Sequence, residues 1–100
     1  MRQTEQSARR FQVLADPIRL QIALLLREEE MCVGDLAEAL GINQPKVSYH
    51  LKRMYEEGLL NRRTEYTWSY YSLSSDLRTW VNGELDALLD TNPQARARRL

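Results

Sequence analysis

Apolar residues recur along this chain at helical spacing, give way once to a strand-like pattern, and then resume. From about Thr4 to Ala15, Ala8, Phe11 and Leu14 fall three apart with Val13 beside them, the repeat of one helical face. Asp16-Pro17 interrupts the run: Asp caps a new helix, and Pro fits its first turn, where a missing N–H costs nothing. Ile18, Ile22, Leu25 and Leu26, with Leu20 and Leu24 alongside, carry that helix to about Glu29. It is apolar over most of its girth and is therefore expected in the middle of the domain. It stops in Glu28-Glu29-Glu30, an acidic run at the negative end of a helix dipole, read as a solvated helix end in preference to a metal site. Met31-Cys32-Val33 reads as a short connection. A third helix follows from Gly34 to Leu40, with Leu36, Ala37 and Leu40 inward and Gly41 as its stop.

Asn43 then caps a fourth helix with Pro45 in its first turn, and Val47, Leu51 and Met54 form its apolar stripe. Its other face carries Gln44, Lys46, Ser48, Tyr49, His50, Lys52 and Arg53, and no carboxylate appears before Glu56. A solvated helix ordinarily mixes both signs, which is the alternative reading of this stretch. Two helices joined by a short Gly-containing turn, the second polar and basic, form a helix-turn-helix. Gly58 ends the fourth helix. Leu59 to Thr64 and Trp68 to Leu73 then read as two antiparallel strands with the short link Glu65-Tyr66-Thr67. A lone hairpin is marginal, so it must lean on the helices, where Arg62 and Arg63 make it a wing beside the fourth helix. Edge protection of an exposed strand is the alternative role for these arginines. Ser74 or Ser75 caps a last helix with Leu77, Trp80, Val81, Leu85, Leu88 and Leu89 at spacings of three and four, ended by Asn92-Pro93.

The 100 residues make one domain, 1–92, followed by a basic tail, 93–100, with Arg96, Arg98 and Arg99. Formal net charge is zero but segregated: residues 44–64 carry five cations and two acids, whereas 28–38 carry five acids and no cation. That distribution fits salt-sensitive binding to a polyanion through one face better than indiscriminate coating. A core of this size is thin, and the heavy stripes of the first and last helices read as a dimer seam through Phe11, Leu77, Trp80, Val81, Leu85 and Leu88. Cys32 is the only cysteine, which excludes an intrachain disulfide and a CxxC zinc site. The polar N-terminus and the lack of a long apolar run point to the cytoplasm, with no membrane partner. No nucleophile–base pair, phosphate loop or HExxH motif is present, so an enzyme is not expected.

Four stretches together resemble the ArsR/SmtB family of bacterial winged-helix repressors. They are Leu14-Ala15-Asp16-Pro17-Ile18-Arg19-Leu20, Met31-Cys32-Val33-Gly34-Asp35-Leu36, Gln44-Pro45-Lys46-Val47-Ser48-Tyr49-His50-Leu51 and Trp68-Ser69-Tyr70-Tyr71-Ser72-Leu73. The resemblance runs from about Leu14 to Leu73. It implies a mainly α fold with a small β-hairpin, a winged helix-turn-helix in the order four helices, two strands, one helix, dimeric through the first and last helices. It also implies repression relieved by an effector. The chain departs from the family's sensing motifs. Arsenic sensors often carry Cys-Val-Cys, where this chain has Cys32-Val33-Gly34. The last helix offers Asp76, Glu84, Asp86 and Asp90 but no histidine for a zinc site, and the cysteine pair of persulfide sensors is absent. Tyr66-Thr67 stands where family wings often have Gly-Arg. The cofactor is thus unknown, and a metal effector has no intact family site.

The expected function is sequence-specific binding of double-stranded DNA bearing an imperfect inverted repeat by a homodimeric repressor. Gln44, Lys46, Ser48 and Tyr49 would reach base edges, with His50, Lys52, Arg53, Arg62 and Arg63 on or near the backbone. Cys32 reads as a small buried hydrophobe, with a redox or metal-binding thiol as its functional alternative. The rival function is a protein–protein adaptor that docks an acidic partner on the basic face.

Overall fold

Val47, Leu51 and Met54 are fully buried, and the other elements close around that stripe. The computed structural model describes residues 2–90. In chain order it contains α1 (Arg2–Leu14), α2 (Pro17–Glu28), β1 (Met31–Cys32), α3 (Val33–Leu40), α4 (Gln44–Glu56), β2 (Leu60–Glu65), β3 (Trp68–Leu73) and α5 (Leu77–Leu89). The core joins Val13 of α1, Ile22, Ala23 and Leu26 of α2, Leu36 of α3 and the α4 stripe to Leu59 and Leu60 at the foot of the hairpin and Trp80 of α5. Each fully buried Leu, Ile or Met here contributes roughly 1.5–3 kcal/mol of transfer free energy.

Local chemistry sets the helix ends. Asp16 Oδ1 accepts from the backbone N–H of Ile18 at 2.9 Å and of Arg19 at 3.1 Å, so α2 starts capped, with Pro17 in its first turn. Those bonds, that to Arg19 foremost, and the Arg19 charge hold the Asp16 carboxyl below its ordinary value. Gly41 closes α3 in the left-handed region at φ 68°, and its N–H donates to the Ala37 carbonyl at 2.9 Å. Asn43 Oδ1 then accepts from Lys46 N at 2.9 Å and opens α4. The turn between the two helices is therefore only residues 41–43, short enough to hold α4 in a fixed orientation to α3.

The sheet has one strand more than the sequence predicts. β2 and β3 pair antiparallel from Leu60 opposite Leu73 to Glu65 opposite Trp68, leaving Tyr66-Thr67 as a two-residue turn. Met31 and Cys32 pair with Tyr71 and Tyr70, giving the order β1-β3-β2. The hairpin is thus anchored to the start of α3 through β1, which supplies the support that a bare hairpin lacks.

Three further expectations are corrected. Helix α2 is not buried all round: Leu20 and Leu24 are 44% and 47% exposed, whereas the cation between Ile18 and Leu20, Arg19, is buried. Neither Ser74 nor Ser75 caps α5. The cap is Asp76, whose Oδ1 accepts from Thr79 N at 3.0 Å, while Ser74 Oγ turns back to donate to the Gly58 and Leu59 carbonyls. Trp80 belongs to the protomer's own core at 8% exposure, with the Arg10 guanidinium 5.1 Å above its ring, so it has little surface to offer a second subunit. The predicted Asn92-Pro93 stop and the basic tail lie outside the described residues.

Candidate nucleic-acid interface

Burial of one α4 stripe forces the opposite side outward. Gln44, Lys46, Ser48, Tyr49 and Lys52 are exposed, and Arg53 is half-buried at the margin. Tyr49 presents 56% of its surface. The first turn of α4 contains no acidic residue, so the positive end of the helix dipole is unopposed there. This face offers hydroxyl, amide and ammonium groups on a rigid rod, at the N-terminal end that attracts anions. A helix of this diameter fits the major groove of B-form DNA.

His50 does not share that face. It is 6% exposed and lies on the inner side of α4, where its Nδ1 is 3.1 Å from Arg19 Nη1. This overturns the expectation that groups it with the exposed cations. Burial, first of all, pulls its pKa below the ordinary value, with Arg19, Lys46 and Arg53 acting in the same direction and Asp16 opposing.

The wing arginines differ from each other. Arg62 stacks over the Tyr55 ring of α4 at 5.1 Å, which ties the hairpin to that helix while the residue stays exposed. Arg63 is already engaged. Its Nε and Nη2 donate to the Glu30 carboxylate at 2.7 to 3.0 Å, its Nη1 donates to Glu65 at 2.7 Å, and it lies 4.6 Å over Tyr70. The Glu30 contact, above all, raises the Arg63 pKa further and lowers that of Glu30. Two carboxylates therefore offset the charge that Arg63 brings to the wing. At the tip, Tyr66 is 92% exposed at φ 57°, a left-handed conformation that suits glycine and strains a tyrosine.

Away from this face, α1 and α5 are joined by a network that the sequence does not announce. Glu84 is 2% exposed and accepts from Ser7 Oγ at 2.7 Å and from Arg10 Nη1 at 2.5 Å. Arg10 Nε also donates to the Glu57 carbonyl at the end of α4, at 3.2 Å. The only hint in the sequence is an acid set within the apolar repeat of α5. Of the expected seam residues, Phe11, Leu77, Val81 and Leu88 are half-buried and Leu85 is 39% exposed. Leu89, beside them, is 59% exposed.

Cys32 is buried at the start of α3, and Asp35 Oδ2 accepts from its backbone N–H at 3.5 Å. It borders a hollow of about 240 Å³ that is also lined by Gly34, Gln44 and Trp68. Among the described residues, no three His, Cys, Asp or Glu side chains gather closely enough to hold a metal ion. With Gly34 two residues on, the donor set around Cys32 does not fit an arsenic site built from two or more thiolates. Among the described residues no helix is long and apolar enough to cross a membrane.

This architecture is shared with known regulators. Residues 16–62 match the family described as bacterial regulatory protein, arsR family. The arsenical resistance operon repressor of Escherichia coli is 46% identical over 77 residues, which cover 76% of this chain and 66% of that protein. The chain thus spans just under two thirds of that relative. The repressor of the same name from Bacillus subtilis is 42% identical over 77 residues, covering 76% of this chain and 70% of its own length. In structure, the chain is similar to the homodimeric winged helix-turn-helix DNA-binding domain of Mb0332 from Mycobacterium bovis. The TM-score is 0.70 at 32% identity, with 90% of this chain and 87% of that one covered. The match across the helix-turn-helix, these identities and the shared winged fold lead to one conclusion: the chain belongs to the arsR family of bacterial regulatory proteins.

Proposed function

We propose that this protein is a cytoplasmic, homodimeric transcriptional repressor that binds double-stranded DNA sequence-specifically through α4. The observation that carries this reading is the exposed face of α4, free of carboxylates from Gln44 to Tyr55 and held outward by three fully buried side chains. Gln44, Lys46, Ser48 and Tyr49 read base edges, and Lys52, Arg53 and Arg62 meet phosphates. His50 leaves the set because it is buried, and Arg63 contributes little because Glu30 and Glu65 hold it. The second subunit packs across α1 and α5, with Leu85 and Leu89 at the seam. Two-fold symmetry then requires an inverted repeat whose half-sites lie one helical turn, or a multiple, apart.

Fluorescence anisotropy on duplex from the gene's own upstream region, against a random duplex at the same salt, tests this reading. Specific binding should exceed the random background by at least about 10³-fold. Equal affinity for both duplexes, together with failure to enrich any sequence from a random pool, would leave the basic face to a protein partner instead. Because Cys32 lacks a second thiolate nearby, arsenite is expected to release the complex no better from wild type than from Cys32→Ser.

A further inference from the structure

Arg19 stands where α2 would ordinarily place an apolar side chain, and every nitrogen of its guanidinium is used. Nε donates to the Val13 carbonyl at 2.6 Å, Nη2 to the Gln12 carbonyl at 3.1 Å, and Nη1 meets His50 Nδ1 at 3.1 Å. The two carbonyls belong to the last turn of α1, where that of Gln12 also accepts from the Ala15 N–H at 3.0 Å and the helix has no cation of its own. Arg19 therefore caps one helix while it holds another. A guanidinium has only donors and keeps its proton, so Nδ1 must accept, and the imidazole is neutral with its hydrogen on Nε2. The His50 ring in turn meets Tyr49 edge-on, with centroids 5.2 Å apart.

We propose that Arg19 and His50 are positioning residues, a strut from the end of α1 through α2 that sets the angle of α4 for DNA, and that a proton on His50 undoes it. An imidazolium has no lone pair for Arg19 and would place a second cation 3.1 Å from the first. The charged groups facing His50 are Asp16 and Arg19 from α2 and its cap, and Lys46 and Arg53 from α4 itself. Three are cations that resist protonation, and Asp16 alone favours it. The consequence has a diagnostic sign. A histidine on the DNA-facing surface tightens binding on acidification, because imidazolium attracts phosphate, whereas release of this strut weakens it. The inference rests on the DNA-binding reading, but half of its test does not.

His50 is the only histidine, so its ring resonances in NMR are unambiguous. In the free protein the ring should titrate below 6.5 from the Nε2–H tautomer, and the amides of residues 12–14 should move with the same midpoint. Arg19→Lys, which keeps the charge but cannot span three acceptors, should uncouple those amides from the ring. On the specific duplex at fixed ionic strength, wild type should lose affinity relative to His50→Gln as the pH falls through the midpoint found in the free protein, by up to about tenfold for each unit below it. Glutamine offers Arg19 an acceptor that does not titrate. Tighter wild-type binding below that midpoint, a ring that titrates at 6.5 or above, or α1 amides indifferent to the ring would each overturn the strut. If no duplex binds at any pH, the DNA-binding reading fails, and the free-protein titration still decides the strut.

Discussion

Replacing Glu84 by alanine should be the most damaging truncation of a polar side chain on the α1–α5 contact. Its carboxylate is 1% exposed and holds two donors, the Ser7 hydroxyl and the Arg10 guanidinium. Breaking one side of a buried ion pair typically costs about 3–5 kcal/mol, because the partner charge is left without compensation. The Arg10 side chain is 30% exposed, so water can replace part of what it loses. That lowers the expectation for Glu84→Ala to about 2–3 kcal/mol. Glu84→Gln keeps an acceptor for Ser7 and the shape of the side chain, and gives up the charge-assisted bond, for about 1 kcal/mol. Urea denaturation followed by circular dichroism reads both, at two protein concentrations so that dimer dissociation can be separated from unfolding. A shift of less than about 0.5 kcal/mol for Glu84→Ala, the range of ordinary surface substitutions, would refute the reasoning and show the pair to be solvated in the protein.

Leu85→Glu places a charge on the exposed part of the α5 stripe and should give a folded monomer by sedimentation equilibrium. A variant that stays dimeric moves the seam off this part of α5. Tyr66→Gly removes left-handed strain at the wing tip and should raise stability by about 0.5–1 kcal/mol in the same urea assay, whereas a loss would mean that the ring packs in a way its 92% exposure denies. The Asp16 pKa is depressed in the folded state, chiefly by its bond to the Arg19 amide, so its contribution is full above the unfolded value near 3.8 and disappears as pH falls through the folded value. Asp16→Ala should therefore cost about 0.5–2 kcal/mol at pH 7 and much less at pH 2, as read by thermal melts at the two pH values.

The helix order and most helix ends were legible because each is signalled by local chemistry. Asp16-Pro17, Gly41 and Asn43 act within a few residues of their own positions, and the structure shows all three in those roles. What the sequence could not show depends on neighbours distant in the chain. The pair Met31-Cys32 is too short for an alternating pattern, and becomes a strand only because β3 presents Tyr70 and Tyr71 to it. Helix α2 has apolar residues around most of its girth, so periodicity cannot say which side is buried. The carbonyls at the end of α1 draw Arg19 inward and leave Leu20 and Leu24 outside. Ser74 and Ser75 were the expected caps of α5, but Ser74 is occupied by the hairpin and Asp76, which the pattern did not single out, takes the role. His50 illustrates the limit at the interface itself. It lies between Tyr49 and Leu51 at the border of the α4 stripe, where a small rotation decides between groove and core, and Arg19 decides it.

The central claim is that α4 reads bases while the wing supplies charge, and one comparison addresses it directly. Anisotropy titrations of wild type, Tyr49→Ala and Arg62→Ala on specific and random duplexes over a range of salt separate the two roles. Tyr49→Ala should lose about 1–3 kcal/mol on the specific duplex alone, with the salt slope unchanged. Arg62→Ala should weaken both duplexes alike and reduce the slope by about one. Equal losses on both duplexes from both variants would contradict the account and return α4 to the status of an ordinary basic surface.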